Sequence, residues 1–159
     1  MTVSAQKKVA LKVSTVAQGA ESKTVNVTKD KKGYITLFDG KNLDGWRGYG
    51  KDHVPARWTV EDGCLKFNAG QGEGGDIIFA HKFKNFILEM EWKVSKGANS
   101  GIFYLAQEVK NDKGGMEPIF ISAPECQVLD NENHPDAKLG VDGNRKASSP
   151  VSYTHLRAH

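Results

Sequence analysis

The sequence predicts an all-β domain, and three observations carry that prediction. From Tyr34 onward, short apolar runs alternate with clusters of Gly, Asp and Asn, the rhythm of strands separated by turns. None of the runs keeps the 3.6-residue period of an amphipathic helix. One of them alternates strictly: Phe86, Leu88, Met90, Trp92 and Val94 share one face, while Glu89, Glu91 and Lys93 share the other. Strands of this kind set one face on a core and leave the other to solvent or ligand, so a two-layer β-sandwich is expected.

Residues 1–32 are polar and rich in Lys, Ser, Thr and Val, and form a flank. The alternation of Val9, Leu11 and Val13 within it is either a short strand or nothing ordered. The runs that follow are read as strands in order: 34–38 (YITLF), 57–60 (RWTV), 64–67 (CLKF), 76–80 (DIIFA), 85–94 (NFILEMEWKV), 100–106 (SGIFYLA), 119–121 (IFI) and 125–130 (ECQVLD). Between the second and third, Glu61-Asp62-Gly63 signals a hairpin, because Gly63 can take the positive φ of a tight turn. Trp46, in Asp44-Gly45-Trp46, falls in a loop-like stretch. In the 100–106 run, Ile102 and Tyr104 lie on one side, and Phe103 and Leu105 on the other.

Length and charge narrow the function. The chain has 159 residues, and no stretch approaches the roughly 18 to 20 apolar residues of a membrane helix. Cys64 and Cys126 lack the spacing of a zinc site and are too few for a disulfide framework. The formal charge of +3 points to no nucleic acid, because it is carried by the ends. Residues 31–150 hold sixteen basic and seventeen acidic side chains. The first 20 residues have a basic start but not the apolar run of a secretory signal, so the protein is expected either to be cytoplasmic or to lack its true N-terminus.

No phosphate-binding loop, nucleophile elbow or zincin motif is present, and Gly72-Glu73-Gly74-Gly75 is too loose for a phosphate cradle. The stretch 125–138 (ECQVLDNENHPDAK) concentrates the reactive side chains. Glu125 and Gln127 share a strand face, and Asp130 joins them only if a bulge or the strand's end re-aims it. A carboxylate beside a carboxamide suits sugar chemistry: one takes a proton while its neighbours hold hydroxyls or a developing oxyanion. The competing reading is a solvated strand end with Asp130, Asn131, Glu132 and Asn133 as turn formers. Asn99, Ser100 and Tyr104 offer a polar patch with an aromatic floor, where Gly101 allows a ligand or backbone to come close. The alternative is a turn followed by a core tyrosine. Trp46 is either a stacking platform or an aromatic plug over the core. Glu91 is a candidate sugar contact on a face that is ordinarily charged. His53 and His81 are read as surface residues, and Cys126 as an interior residue opposite Glu125.

Taken in order, 34–67, 74–79, 86–104 and 124–138 resemble the bacterial 3-keto-disaccharide (3-keto-glycoside) hydrolase family, which has a concanavalin A-like lectin/glucanase jelly roll. The resemblance covers residues 33 to about 149. It implies a concave sheet that holds a saccharide, and cleavage of a glycosidic bond in a sugar oxidised at C3. The ketone acidifies the C2 hydrogen, so that a base removes it, the C1 substituent leaves and water adds. On this reading Glu125 is base or acid, Gln127 and Asp130 orient it or share the proton work, and Asn99, Ser100, Tyr104 and His134 line the sugar site. Trp46 and Glu91 complete the substrate-binding set.

Glucanases of the same fold class carry Glu-x-Asp-x-x-Glu, and Glu125-x-Gln127-x-x-Asp130 resembles it with both later carboxyl positions altered. Direct hydrolysis by two carboxylates about 5 to 5.5 Å apart is weakened accordingly. A divalent metal is the one cofactor the pattern admits, with Asp130, His134 and Asp136 as hard ligands. A non-catalytic carbohydrate-binding module on the same sandwich is the competing function. Family members continue past the Gly143-Asn144-Arg145 segment into further strands and are commonly exported. The expectation is therefore a flank over 1–32, an incomplete jelly roll over 33–150 and a non-native tail over 151–159.

Overall fold

A computed structural model describes residues 29–147, together with the backbone of three strands, Val3–Ala5, Val9–Val16 and Pro150–Val151. Among the described residues, regular structure consists of β-strands and three short 3-10 turns, with no α-helix. The protein is all-β, as its patterning requires. It divides into two compact units, one spanning Ser4–Lys93 and the other Val94–His159 with Met1–Val3.

In the first unit, β2 (Val9–Val16) lies between β3 (Tyr34–Phe38) and β8 (Phe83–Glu89), with β1 (Val3–Ala5) preceding it in the chain. Both pairings are antiparallel, with Leu11 opposite Ile35 on one side and Leu88 on the other. The Val9–Leu11–Val13 alternation thus belongs to a strand that is central in its sheet, inside what the sequence marks as a flank. β4 (Trp46–Gly48) pairs with β7 (Ile77–Phe79), so the loop-like stretch around Trp46 is also a strand. Its entry is set by an Asx turn, with Asp44 N–H donating to Asn42 Oδ1 at 2.9 Å, and by Gly45 at φ 84°.

β5 (Trp58–Glu61) and β6 (Cys64–Phe67) form the expected hairpin. Asp62 and Gly63 have φ of 52° and 71°, the signs a type I′ turn demands at both central positions. This hairpin's sheet has the order β5-β6-β1-β9, where β9 is Lys93–Val94. The long 85–94 run is therefore two strands with a break at Met90–Trp92, yet its alternation persists. Phe86, Leu88, Met90, Trp92 and Val94 are half-buried, while Glu89, Glu91 and Lys93 are exposed. Ile35, Leu37, Phe38 and Leu65 form the core, with Trp46, Trp58, Phe79, Phe83 and Phe86 among the residues packed on it. Each such aliphatic or aromatic side chain contributes about 1.5–3 kcal/mol when fully buried.

His81 corrects the surface reading. It is 8% exposed, with ring centroids 5.6 Å from Phe79 and 6.5 Å from Phe83, and neither ring nitrogen has a hydrogen-bond partner. His81 lies in the short bend between β7 and β8, and its ring packs with the aromatics that end one strand and begin the next.

In the second unit, β11 (Glu125–Leu129) is central, paired antiparallel with β10 (Asn99–Phe103) and with β12 (Pro150–Val151). The 119–121 run is a 3-10 turn rather than a strand. Pro118 opens it, Ile121 N–H donates to the Pro118 carbonyl at 3.0 Å, and only Ile119 is buried. Three apolar residues in a row do not distinguish a strand from a turn that buries one of them. Further 3-10 turns cover Pro135–Lys138 and Val141–Gly143. The buried apolar residues of this unit are small or few: Ala98, Ile119, Ala123, Val128, Leu129 and Ala137.

Candidate functional site

The site follows from the register of two strands. Phe103 lies opposite Glu125, Gly101 opposite Gln127 and Asn99 opposite Leu129. Cross-strand partners share a face, so these six positions form one side of the pair, and Ser100, Ile102, Cys126 and Val128 form the other. The register brings Glu125, Gln127 and Asn99 together. Ser100 contributes its backbone there but directs its side chain to the far face.

Both polar residues of β11 are buried, Glu125 at 8% and Gln127 at 2% exposure, whereas Cys126 is only half-buried. Cys126 does face opposite Glu125, but the expectation that its side is the interior one is corrected, because at this end of β11 the face of Glu125 is the more deeply buried. Gln127 Nε2 donates to Asn99 Oδ1 at 2.5 Å and to the Ser100 carbonyl at 3.0 Å. With its carbonyl engaged, Asn99 donates from Nδ2 to Asp136 Oδ2 at 3.0 Å. This defines its amide orientation, since donor and acceptor ends both have partners.

Asp136 in turn donates its backbone N–H to His134 Nδ1 at 3.1 Å, so that His134 caps the turn Pro135–Lys138. Nδ1 acts as an acceptor in that bond, so the neutral ring carries its proton on Nε2. A continuous polar chain therefore runs from Gln127 through Asn99 and Asp136 to His134. It fixes one buried carboxamide and one histidine tautomer.

Asp130 has a different part. It follows the end of β11, its N–H bonded to the Ala98 carbonyl at 3.0 Å. Its Oδ2 accepts from Gly97 N–H at 2.7 Å and from Asn133 Nδ2 at 2.8 Å, and its Oδ1 from the N–H groups of Glu132 and Asn133 at 3.1 and 3.2 Å. The Gly97 amide first, with the Asn133 and Glu132 donors adding to it, holds this carboxyl below the usual carboxylate range. Asp130 is an ionised clasp that ties the 130–133 turn to Gly97.

The same geometry answers the metal reading. All the Asp130 lone pairs face N–H donors, His134 Nδ1 accepts from Asp136, and Asp136 Oδ2 accepts from Asn99. Among the described residues, no group of three or more His, Cys, Asp and Glu side chains is disposed to hold a metal ion. Asp130, His134 and Asp136 thus do not form the expected ligand set.

Tyr104 stands just past β10, its N–H on the Pro124 carbonyl at 3.1 Å and the residue 38% exposed, so it is not a core tyrosine. Trp46 and Glu91 belong to the other unit. Trp46 Nε1–H donates to the Leu37 carbonyl at 2.7 Å, and the ring meets Phe79 edge-on at 5.5 Å, which is the plug arrangement. Glu91 lies with Asp30, Tyr34 and Glu89 along an open groove of about 690 Å³.

Two features escape a reading along the sequence. Glu125's carboxyl lies over Gly101, where a β-carbon would clash with it. Gly101's proximity to a ligand or backbone was legible, but its neighbour is a side chain two strand positions away on the diagonal. The second is a surface cluster in the first unit. His53 has Nδ1 2.8 Å from Asp52 Oδ1 and Nε2 2.6 Å from Glu73 Oε2, while Lys51 also binds Glu73. Asp52 and then Glu73 raise the His53 pKa, and the cluster pins the loop at 51–53 to the one at 73.

The comparisons with known proteins agree on one family. The model of the 3-keto-alpha-glucoside-1,2-lyase-like domain matches residues 33–152. A 3-keto-disaccharide hydrolase of Bacteroides thetaiotaomicron is 64% identical over 151 residues, an alignment that covers 89% of this chain and 52% of that protein. The chain thus spans about half the length of the curated relative it matches.

Proposed function

The chain belongs to the 3-keto-alpha-glucoside-1,2-lyase-like domain family, and from that premise we propose that it serves cleavage of the glycosidic bond in 3-keto-disaccharides. The observation that carries the reading is the buried pair Glu125 and Gln127, held beside Asn99 on one strand face of a chain whose relative is a 3-keto-disaccharide hydrolase. Buried polar side chains must be held by hydrogen bonds, as Gln127 is, and a base with a fixed amide beside it is what the keto-sugar reaction needs.

In the proposed reaction Glu125 takes the proton from C2, and the electron pair moves into the C1–C2 bond as the C1–O bond breaks. The C3 ketone delocalises the developing charge as an enolate. The departing oxygen takes up a proton, for which the Nε2–H of His134 is the neutral donor. Water then adds at C1 and C2 regains its proton, so the sum is hydrolysis. Asn99, with one Nδ2–H beyond its bond to Asp136, holds a hydroxyl or enolate oxygen, and Gln127 orients Asn99 because both its N–H groups are committed to Asn99 and the Ser100 carbonyl. Tyr104 supplies an exposed ring for stacking, and Asp130 keeps the turn in place rather than sharing the proton work.

The test uses a 3-keto-disaccharide beside the same sugar reduced at C3. Turnover is expected for the ketone alone, and Glu125→Gln is expected to lower it about 10²–10⁴-fold while the sugar-induced change in tryptophan fluorescence persists. Equal turnover of ketone and alcohol would reject the mechanism. Binding with no turnover of either sugar by the unaltered chain would favour a carbohydrate-binding module instead.

A further inference from the structure

We infer that Gly101 is a positioning residue for the Glu125 carboxylate: the missing side chain at this point of β10 is the seat in which the proposed base lies. The inference rests on the role of Glu125 proposed above and adds what holds that residue in place.

Gly101 sits in the middle of the strand face that carries the site, between Asn99 and Phe103 and opposite Gln127. A methyl group built on it would lie 2.6 Å from Glu125 Cγ, and closer still to Cδ and Oε1. Carbon atoms not bonded to one another do not approach so near, so Glu125 occupies the volume a side chain would take. The carboxylate therefore leans from its own position, opposite Phe103, diagonally onto Gly101 and toward Gln127.

Backbone conformation does not explain the glycine. Gly101 is not among the positive-φ residues and lies within a regular ladder, where glycine is a cost. Gly97, four residues earlier, is the opposite case: its φ is 67° and a β-carbon there would meet nothing within 4 Å. One glycine is required by its turn and the other by what lies on it.

A side chain at 101 forces Glu125 off the sheet and out of line with Gln127 and Asn99. A displacement of about 1 Å of a reacting group can cost on the order of 100-fold in rate. Gly101→Ala is accordingly expected to lower kcat about 100-fold, with a smaller change in KM and a shift in the acid limb of the pH–rate profile.

The test is a double-mutant cycle in the full chain with Gly101→Ala, Glu125→Ala and both together, read by turnover of a 3-keto-disaccharide and by Tm. If Gly101 acts through Glu125, its substitution lowers kcat and Tm in the native background. In the Glu125→Ala background it costs no further turnover, and Tm is unchanged or rises because the methyl enters vacated space. The double variant lacks the Glu125 Cγ, Cδ and Oε1 atoms that the methyl would strike, so the cycle is readable even where Gly101→Ala alone folds poorly. Equal effects of Gly101→Ala in both backgrounds, or a native kcat and pH profile for the single variant, would overturn the inference. Normal turnover by Glu125→Ala would instead remove the proposed base, and a coupled Tm in that case would mark the pair as packing alone.

Discussion

Among the described residues, the unit Ser4–Lys93 keeps its large apolar side chains inside, Ile87 at 59% exposure excepted, and its ions outside. Ile35, Leu37, Phe38 and Leu65 are buried under a layer of aromatics, while Lys51, Asp52, His53 and Glu73 pair at the surface. The unit from Val94 onward inverts this. Glu125 and Gln127 are buried, and Leu105, Phe120, Ile121 and Leu139 are exposed, at 67, 39, 42 and 50%. A sheet stabilised by apolar burial needs no buried carboxylate, and a sheet that holds one must satisfy its polar neighbours. On the proposed reading, the difference separates the part of the chain that supplies stability from the part that carries buried polar groups for chemistry.

Substitution at Ile35 would break that contrast most severely. Ile35 is fully buried and opposite Leu11 of the central strand of its sheet. Ile35→Ala is expected to cost about 2–5 kcal/mol by urea unfolding, the range for deleting buried aliphatic groups. A loss below about 1 kcal/mol would mean that this unit does not carry the stability assigned to it.

The corresponding substitution in the second unit removes hydrogen bonds instead of volume. Gln127→Leu deprives Asn99 Oδ1 and the Ser100 carbonyl of a donor, and lets Asn99 turn away from Asp136. Leaving buried acceptors unsatisfied costs about 1–3 kcal/mol, so the loss should be smaller than at Ile35, while turnover should fall far more. Intact turnover in a destabilised Gln127→Leu protein would show the polar chain to be structural only.

How much of this was legible depends on the range of the interaction. Strands set by local alternation and a turn, such as Tyr34–Phe38, Cys64–Phe67 and the Asp62–Gly63 hairpin, read directly from the sequence. β4 was hidden because its three residues carry one aromatic and no alternation, and its pairing with β7 is non-local. Glu125 and Gln127 share a face by parity alone. That Asn99 joins them while Ser100 does not requires the β10–β11 register, which neither strand's own sequence contains. The same limit applies to Asp130: its composition suits proton transfer or turn formation equally, and only the four donors around it decide for the turn.

His81 sharpens the comparison from the other side, because among the described residues it is the one buried polar side chain of the unit Ser4–Lys93. The Gln127 amide nitrogen donates twice, whereas both His81 nitrogens lack partners and its near neighbours are the rings of Phe79 and Phe83. Desolvation holds its pKa below the ordinary 6.5, so the unfolded chain binds the proton more readily than the folded one. Its contribution therefore makes stability fall as pH drops below about 6.5. His53 works in the opposite sense: its raised pKa gives a contribution that is full below 6.5 and lost as pH rises through the folded value. His81→Phe removes only the first of these. Its Tm is expected to match or slightly exceed that of the unaltered protein at pH 7.5, with the gap widening at pH 5.5 as the unaltered protein alone loses stability to His81. Parallel Tm curves for the two proteins across this range would show that the ring is protonated in the fold as easily as in the unfolded chain, and that this unit tolerates a buried charge after all.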